Sequence, residues 1–330
     1  MINVGIIGFG KMGEIRYGTI RKDGRGRVVG VYEPSRQINL PEVRTYSSPS
    51  ELIADPDIHA VFVCTPNYLN KSLTVEALQA GKHVFCEKPP AFNAGEMEKV
   101  IAAEKEAFGK KLMYGFNHRH HESIKKAKKL IDSGSYGRIL WMRGRYGKSV
   151  DKNFYTDWRS KKEFAGGGIL IDQGIHMLDL FLMLAGDFEE VQAFVSNLYW
   201  KLDVEDNVFA MLRNKEGVVA SLHSTMTQWR HLFSLEVFLE KGCIVINGLL
   251  TPSGTYGEEV MTVSKNRTTA PAATWDDEEH IRFDINTSWC SEMAHFFDCV
   301  EGKSPVKIGS SGDALKLMRL VDKIYEKKDI

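Results

Sequence analysis

Three titratable residues interrupt the apolar run "GGGILIDQGIHMLDLF" (residues 166–181): Asp172, His176 and Asp179. Spaced four and three apart, they would line one face of a helix. Burying such groups costs free energy unless they are paired or used. With an ordinary pKa of ~6.5, an imidazole at His176 can take a hydroxyl proton at neutral pH. Asp172 would bind a neighbouring hydroxyl or orient that imidazole, and Asp179 reads as structural, by capping or pairing. A satisfied buried Asp–His pair is the plainer alternative. Metal ligation is the other, but no third ligand stands at a sensible spacing and HExxH is absent, so no metal is expected. Lys88 is the other reactive position. Between Glu87 and the extended Pro89-Pro90 it differs from a helix-surface lysine, although a solvated loop lysine remains the commoner case. Its ammonium would stabilise negative charge developing on a substrate oxygen. Lys88, Asp172 and His176 are therefore the expected catalytic groups.

These groups need a second reactant, and the N-terminus points to one. "INVGIIGFGKMGEIRYGTI" reads as strand, glycine turn and helix, with Gly8, Gly10 and Gly13 in GxGxxG spacing and Phe9, Lys11 and Met12 inside the turn. The first glycine makes the turn, the second admits a pyrophosphate, and the third lets the helix close on the strand. A second strand, "RVVGVYE", ends at Glu33, 20 residues beyond Gly13, where an acid would bind the adenosine ribose. Glu33 favours NAD, because a carboxylate repels a 2′-phosphate; Arg36, three residues on, could instead clasp that phosphate and accept NADP. Strand and helix patterns then alternate through "HAVFVCTPN", "KHVFCEKPP" and "KLMYGFN", as in a doubly wound parallel sheet. Ligands gather at the carboxyl ends of such strands, which makes Thr65, Pro66, Asn67, Glu87, Lys88 and Asn117 expected contacts.

Taken together and in order, "GFGKMG", "CTPNYLN", "CEKPP" and "DWRSKKEFAGGGILIDQGIHMLDLF" resemble the Gfo/Idh/MocA oxidoreductase family almost from end to end. The resemblance implies an α/β protein: an N-terminal Rossmann domain with a doubly wound parallel sheet, and a C-terminal α/β domain with a large, mostly antiparallel sheet. It also implies a nicotinamide cofactor, a sugar, cyclitol or nucleotide-sugar substrate, and a homodimer or homotetramer. Lys88 matches the lysine of the family's EKP motif, Asp172 and His176 its D-x-G-x-H motif, and Trp158-Arg159 its upstream W-R. Three positions depart. Asn70 stands where the family often has His in the cofactor pocket, Glu33 where Asp is common, and Pro90 where a small aliphatic residue is frequent. Two other activities are compatible with the resemblance: a glycosidase that keeps NAD and oxidises its substrate transiently, and a non-catalytic NAD-binding regulator.

The expected domains are 1–119, binding NAD(P), and 120–330, binding substrate and mediating association, with the last helix packing back on the first. In the second, "HESIKKAKKLIDSG" is an amphipathic helix. "GRILWMRGRYG", "VQAFVSNLYW", "VEDNVFAMLRN", "VVASLHSTM", "FSLEVFLEK" and "CIVING" read as strands, with a turn at Lys215-Glu216-Gly217. Residues 251–282 read as an irregular surface excursion. Aromatic faces suit a sugar ring, and Asn or Arg side chains read its hydroxyls. Asn117, Arg119, Tyr146, Tyr155, Trp158 and Arg159 therefore join Asp172 and His176 as expected substrate contacts, with Tyr155 and Trp158 equally suited to the core.

Composition narrows the setting. Lys plus Arg equals Asp plus Glu at 43 each in 330 residues, so no global field draws nucleic acid or an anionic membrane. Five cysteines without CxxC spacing suggest reduced thiols in the cytoplasm. No signal-peptide pattern opens the chain, and no apolar stretch reads as long enough to span a bilayer. A soluble cytoplasmic enzyme with a small-molecule partner is the expectation.

Overall fold

The computed structural model describes residues 1–265, 270–271 and 273–327. The chain forms two compact units: Met1–Asn117 with Ser288–Met318, and His118–Thr287 with the chain from Arg319 onward.

The first unit alternates strand and helix. It runs β1 (Ile2–Ile7), α1 (Lys11–Asp23), β2 (Gly26–Tyr32), β3 (Arg44–Thr45), α2 (Pro49–Ala54), β4 (Ala60–Val63), α3 (Asn67–Gln79), β5 (His83–Cys86), α4 (Ala94–Glu106) and β6 (Leu112–Tyr114). The six strands are parallel in the order β3-β2-β1-β4-β5-β6. This order reverses direction beside β1, which is where doubly wound sheets bind ligands. Every residue of β4 is buried, as expected of a strand covered on both faces. The helix starts are readable: Ser48 accepts from the Glu51 amide at α2, and Asn93 from the Glu96 amide at α4. Phe62 and Phe85 stack at 5.1 Å between ring centroids, with Phe296 edge-on to both.

The second unit holds α5 (Glu122–Asp132), β7 (Ile139–Ser149), α6 (Lys162–Ala165), a π-helical turn (Leu170–Gly174), and α7 (Ile175–Ala185). Strands β8 (Glu190–Ser196), β9 (Asn207–Arg213), β10 (Val219–Thr225), β11 (Thr227–Leu239), β12 (Gly242–Asn247), β13 (Glu259–Lys265) and β14 (Glu278–Phe283) follow. Helices α8 (Ser288–Val300) and α9 (Ser311–Glu326) close the chain, and the division between the units falls within α9. The eight strands run β14-β13-β12-β11-β7-β10-β9-β8, antiparallel except for the β7–β10 pair. Each strand from β7 to β12 coincides with one read from the sequence, and Gly217, with φ +83°, makes the turn between β9 and β10. Along β8 and β9 burial alternates strictly, so Val191, Ala193, Val195, Val208, Ala210 and Leu212 face the core.

Two expectations are corrected. Residues 251–282 are no mere excursion: they contain β13 and β14, which extend the sheet to its edge. Thr262 and Ser264 alternate with buried Met261 and Val263, and this polar outer face hides the strand pattern. Residues 266–269 and 272 of that stretch lie outside the described residues. A bilayer-length stretch also exists. Lys162–Ala185 is long and apolar enough by length and composition, but 67% of its most apolar window is buried inside the fold. It is the core helix of the second unit, and polar Asp172, His176 and Asp179 sit within it.

Candidate active site

The glycine turn has the shape that a dinucleotide requires. Gly8 adopts φ +85°, and a Cβ there would lie 2.5 Å from the Cys64 carbonyl oxygen. A Cβ on Gly13 would lie 2.3 Å from the Gly8 carbonyl oxygen, whereas one on Gly10 would meet no atom within 4 Å. Gly13 therefore lets α1 close on the turn after β1, Gly8 lets that turn pass against the end of β4, and Gly10 leaves the backbone open to a phosphate. No side chain caps α1, so its leading amides face outward as an anion site. At the end of β2 the Glu33 carboxylate accepts from the Phe9 amide at 2.7 Å and from the Ser35 amide and hydroxyl at 2.9 and 2.5 Å. Partial burial opposes its ionisation. The Ser35 and Phe9 donors and the Arg36 charge prevail, holding Glu33 below the usual glutamate range. Arg36 donates to the Phe9 carbonyl and to Glu14 Oε1. Glycine spacing, amide-lined helix end and ionised acid together fit a dinucleotide. Lys11 is exposed and Met12 half-buried at the same turn. The Phe9 ring is instead buried in the core against Tyr17, so only its backbone belongs to the turn.

The ends of β4 and β5 are tied together beside this turn. Thr65 donates to Asn70 Oδ1 at 3.1 Å, and the Asn70 amide donates to the carbonyls of Glu87 and Pro89 at 3.3 and 2.8 Å. Asn70 is fully buried and braces the two loops. Glu87 is engaged in the same way. Its carboxylate takes the Arg16 Nε–H at 2.6 Å, and Arg16, wholly buried, also reaches Glu292 at 2.6 Å and lies over the Phe85 ring. Burial works against the Arg16 charge, but Glu292 and Glu87 outweigh it, and the guanidinium stays cationic. Half-buried Lys88 follows this anchored glutamate, with Thr65, Pro66 and Asn67 half-buried on the neighbouring loop.

In the second unit the polar column is bent by the π-helical turn, a feature common at functional sites. Asp172 sits in that turn and His176 in the first turn of α7, so the two are not successive rungs of a regular helix. The three glycines before them make room for the chain itself. A Cβ on Gly167 would strike the Tyr325 hydroxyl at 2.1 Å, and one on Gly168 the Glu205 carbonyl oxygen at 2.0 Å. The buried Glu205 carboxylate accepts the Gly168 and Leu170 amides and the Tyr325 hydroxyl, which anchors the helix start.

Asp172 Oδ2 accepts from Lys148 Nζ at 2.7 Å and from the Gln173 amide at 3.3 Å, with Arg159 Nε 4.0 Å from Oδ1. The His176 ring stacks on His118 at 3.9 Å between centroids and an interplanar angle of 21°, and His118 Nε2 lies 2.8 Å from the Tyr146 hydroxyl. Tyr256 packs on Tyr146 and donates to Gln173 at 3.3 Å. Burial and the neighbouring Tyr256 push the Tyr146 phenol well above its usual range, and burial and Asp172 do the same to Tyr256. Both phenols are therefore neutral at physiological pH.

Of the expected substrate contacts, Arg119 is held by an internal acid. It is buried and doubly hydrogen-bonded to Asp179 at 2.6 and 2.7 Å, so two of its donors face an internal acid, and Asp179 is the paired residue that its position suggested. Arg159 lies over the Trp158 ring at 4.3 Å, near Asp172. Exposed Tyr155 donates to the Trp200 carbonyl at 3.0 Å, away from the core. Half-buried Asn117 ends the first unit. Lys148, His118, Gln173 and Tyr256 are additions. Three histidines in "NHRHH" directly after β6 were a signal for His118; nothing in "RGRYGKS" distinguished Lys148.

Residues 2–116 match the oxidoreductase family with an NAD-binding Rossmann fold, and residues 124–245 match the GFO/IDH/MocA C-terminal domain. Levoglucosan dehydrogenase of Pseudarthrobacter phenanthrenivorans is 34% identical over a stretch covering 59% of this chain and 57% of that protein. Myo-inositol 2-dehydrogenase of Thermotoga maritima is 27% identical over 74% of each. A solved levoglucosan dehydrogenase in complex with NADH and levoglucosan superposes with a TM-score of 0.85 at 26% identity, covering 99% of this chain and 96% of that one.

Proposed function

From the premise that this chain belongs to the Gfo/Idh/MocA family of NAD-binding oxidoreductases, we propose that it is an NAD-dependent dehydrogenase of a sugar, inositol or nucleotide-sugar hydroxyl, or the reductase of the matching ketone. The observation that carries this reading is that half-buried Asp172 and buried His176, joined through Gln173, Tyr256 and Tyr146, stand on a helix start fixed by Glu205. The turn of Gly8, Gly10 and Gly13 would hold the pyrophosphate and Glu33 the adenosine ribose. The bound nicotinamide supplies the hydride acceptor. His176 takes the hydroxyl proton, Lys88 stabilises the negative charge growing on that oxygen, and Asp172, itself held by Lys148, binds an adjacent hydroxyl. Arg159 and Trp158 line the Asp172 side, and Tyr146 fixes the ring behind His176. The names of the relatives support a polyol substrate. The five free cysteines support a cytoplasmic setting, and apolar side chains on the outer face of the second sheet support a dimer or tetramer.

The test is NADH formation at 340 nm in a screen of sugars, anhydrosugars, inositols and nucleotide sugars with NAD or NADP. Growth on one substrate class is the expected result. Lys88→Ala and His176→Ala should each lower kcat by at least about a hundredfold while NAD binding survives. Wild-type rates in both variants would sink the assignment. Glycoside cleavage without NADH growth would replace it with redox-assisted hydrolysis.

A further inference from the structure

The stacked imidazoles of His118 and His176 are an unusual pair to bury. The two rings are 5% and 4% exposed, nearly parallel, and 3.9 Å apart. His118 is fixed at its edge by the Tyr146 hydroxyl, 2.8 Å from Nε2, and Tyr146 is in turn wedged against Phe233 and Tyr256. His118 follows β6 in a short 3₁₀ turn, whereas His176 lies on α7, so two separate elements are built to bring these rings face to face. Other titratable groups on these elements include His121, whose ring lies 5.8 Å from His118 and bonds to buried Glu259, His120 in the same turn, and the buried Arg119–Asp179 pair that joins this turn to α7. On the Asp172 side stand Lys148, Arg159 and the neutral Tyr256. Glu259 is already taken by His121, Ser123 and Leu250, and Asp172 by Lys148.

We propose that His118 is a positioning residue for His176, and that the stacked pair holds no more than one proton. The geometry gives both halves. A ring clamped at its edge supplies a flat face that sets the plane of His176, and with it the direction of the nitrogen that meets substrate. Two positive rings at this distance repel strongly enough to disfavour the doubly protonated pair by about a thousandfold in a protein-like dielectric. A single imidazolium over a neutral imidazole face is by contrast favourable. His176 can therefore accept one proton from substrate over a neutral His118, and a proton already on His118 opposes it.

The positioning half rests on the reading of His176 as proton acceptor; the one-proton half does not. Histidine-ring NMR titration of the full chain tests the latter, comparing wild type with His118→Phe and His176→Phe. In the wild type the two rings should together take up one proton as pH falls, each levelling off short of full protonation. In each variant the remaining ring should titrate completely. Two full, independent curves in the wild type would overturn the shared proton. Kinetics on the most active sugar of the screen test the former. His118→Ala should lower kcat about tenfold or more with KM within about threefold, and His118→Phe, which keeps a flat face, should recover most of it. A wild-type kcat in His118→Ala, or a loss that His118→Phe fails to rescue, would overturn the positioning role. Full turnover in His176→Phe would instead sink the functional reading and leave the NMR result standing.

Discussion

At the scale of single residues, the proposed choice of NAD rests on Glu33. Its carboxylate is held ionised by Ser35 and the Phe9 amide, while Arg36 is engaged with Glu14 and the Phe9 carbonyl. An anion fixed at the end of β2 attracts ribose hydroxyls and repels a 2′-phosphate. Glu33→Ala removes both effects and leaves Arg36 beside the site. The expected result is a fall of about tenfold in kcat/KM with NAD, about the worth of one or two hydrogen bonds, and a rise with NADP. Initial rates with both cofactors measure this, and a wild type that already prefers NADP would overturn it. The place of Glu33 at the end of β2 was legible because it depends on a local count from Gly13. The bracing bonds of Asn70 and Glu87 were not legible, because sequence shows that a residue ends a strand, but not that its polar atoms turn inward. Only the structure shows Asn70 bonded to two carbonyls and Glu87 bonded to Arg16, 71 residues away.

Elements are held in place by acids that sequence periodicity does not reveal. Glu259, at the start of β13, accepts from His121 at 2.8 Å, from the Ser123 hydroxyl at 2.5 Å and from the Leu250 amide at 2.9 Å. It thereby ties the N-terminus of α5 to the far part of the sheet, where a negative charge also suits the helix dipole. Burial alone would raise its pKa; the bond and charge of His121, with Ser123 and Leu250, lower it instead. A depressed carboxylate stabilises the fold above its unfolded value, near 4.5, and that stability is lost as pH falls through the lower folded value. Thermal melts from pH 7 downward should therefore hold steady to about pH 4.5 and then decline. Glu259→Gln should cost about 1–3 kcal/mol at pH 7 and flatten the acid decline. An unchanged melting temperature, or an unchanged acid slope, would show that the contact stabilises nothing. The alternating strands β7–β12 were legible because each has one buried face. The π-helical turn was not, since it alters hydrogen-bond register without altering the apolar pattern of residues 166–181. Nor was β13, whose polar face matched a loop.

For the whole molecule, zero formal net charge and the outer face of the second sheet bear on the same question. On β8 and β9, Phe194 is paired with Phe209, which stacks on His223 of β10 at 3.9 Å, and Met211 stands beside them. Farther along the same face Trp141 stacks on Phe238 at 4.0 Å. Phe194 is 71% exposed and Phe209 48% exposed, although both lie on strands whose opposite face is buried core. A sheet that meets water normally presents a polar outer face. An aromatic ladder there suits a second copy of the chain, and neutral net charge leaves no long-range repulsion to keep two copies apart. Sedimentation or light scattering at micromolar concentration should accordingly show a dimer or tetramer. The Phe194→Glu/Phe209→Glu pair should shift it toward monomer, because the face would then bring like charges together. The substitutions lie on the outer surface, so the variant should keep its fold, NAD binding and melting behaviour apart from any dependence on protein concentration. A monomeric wild type, or a double variant that associates as before, would show that this face is not where copies meet.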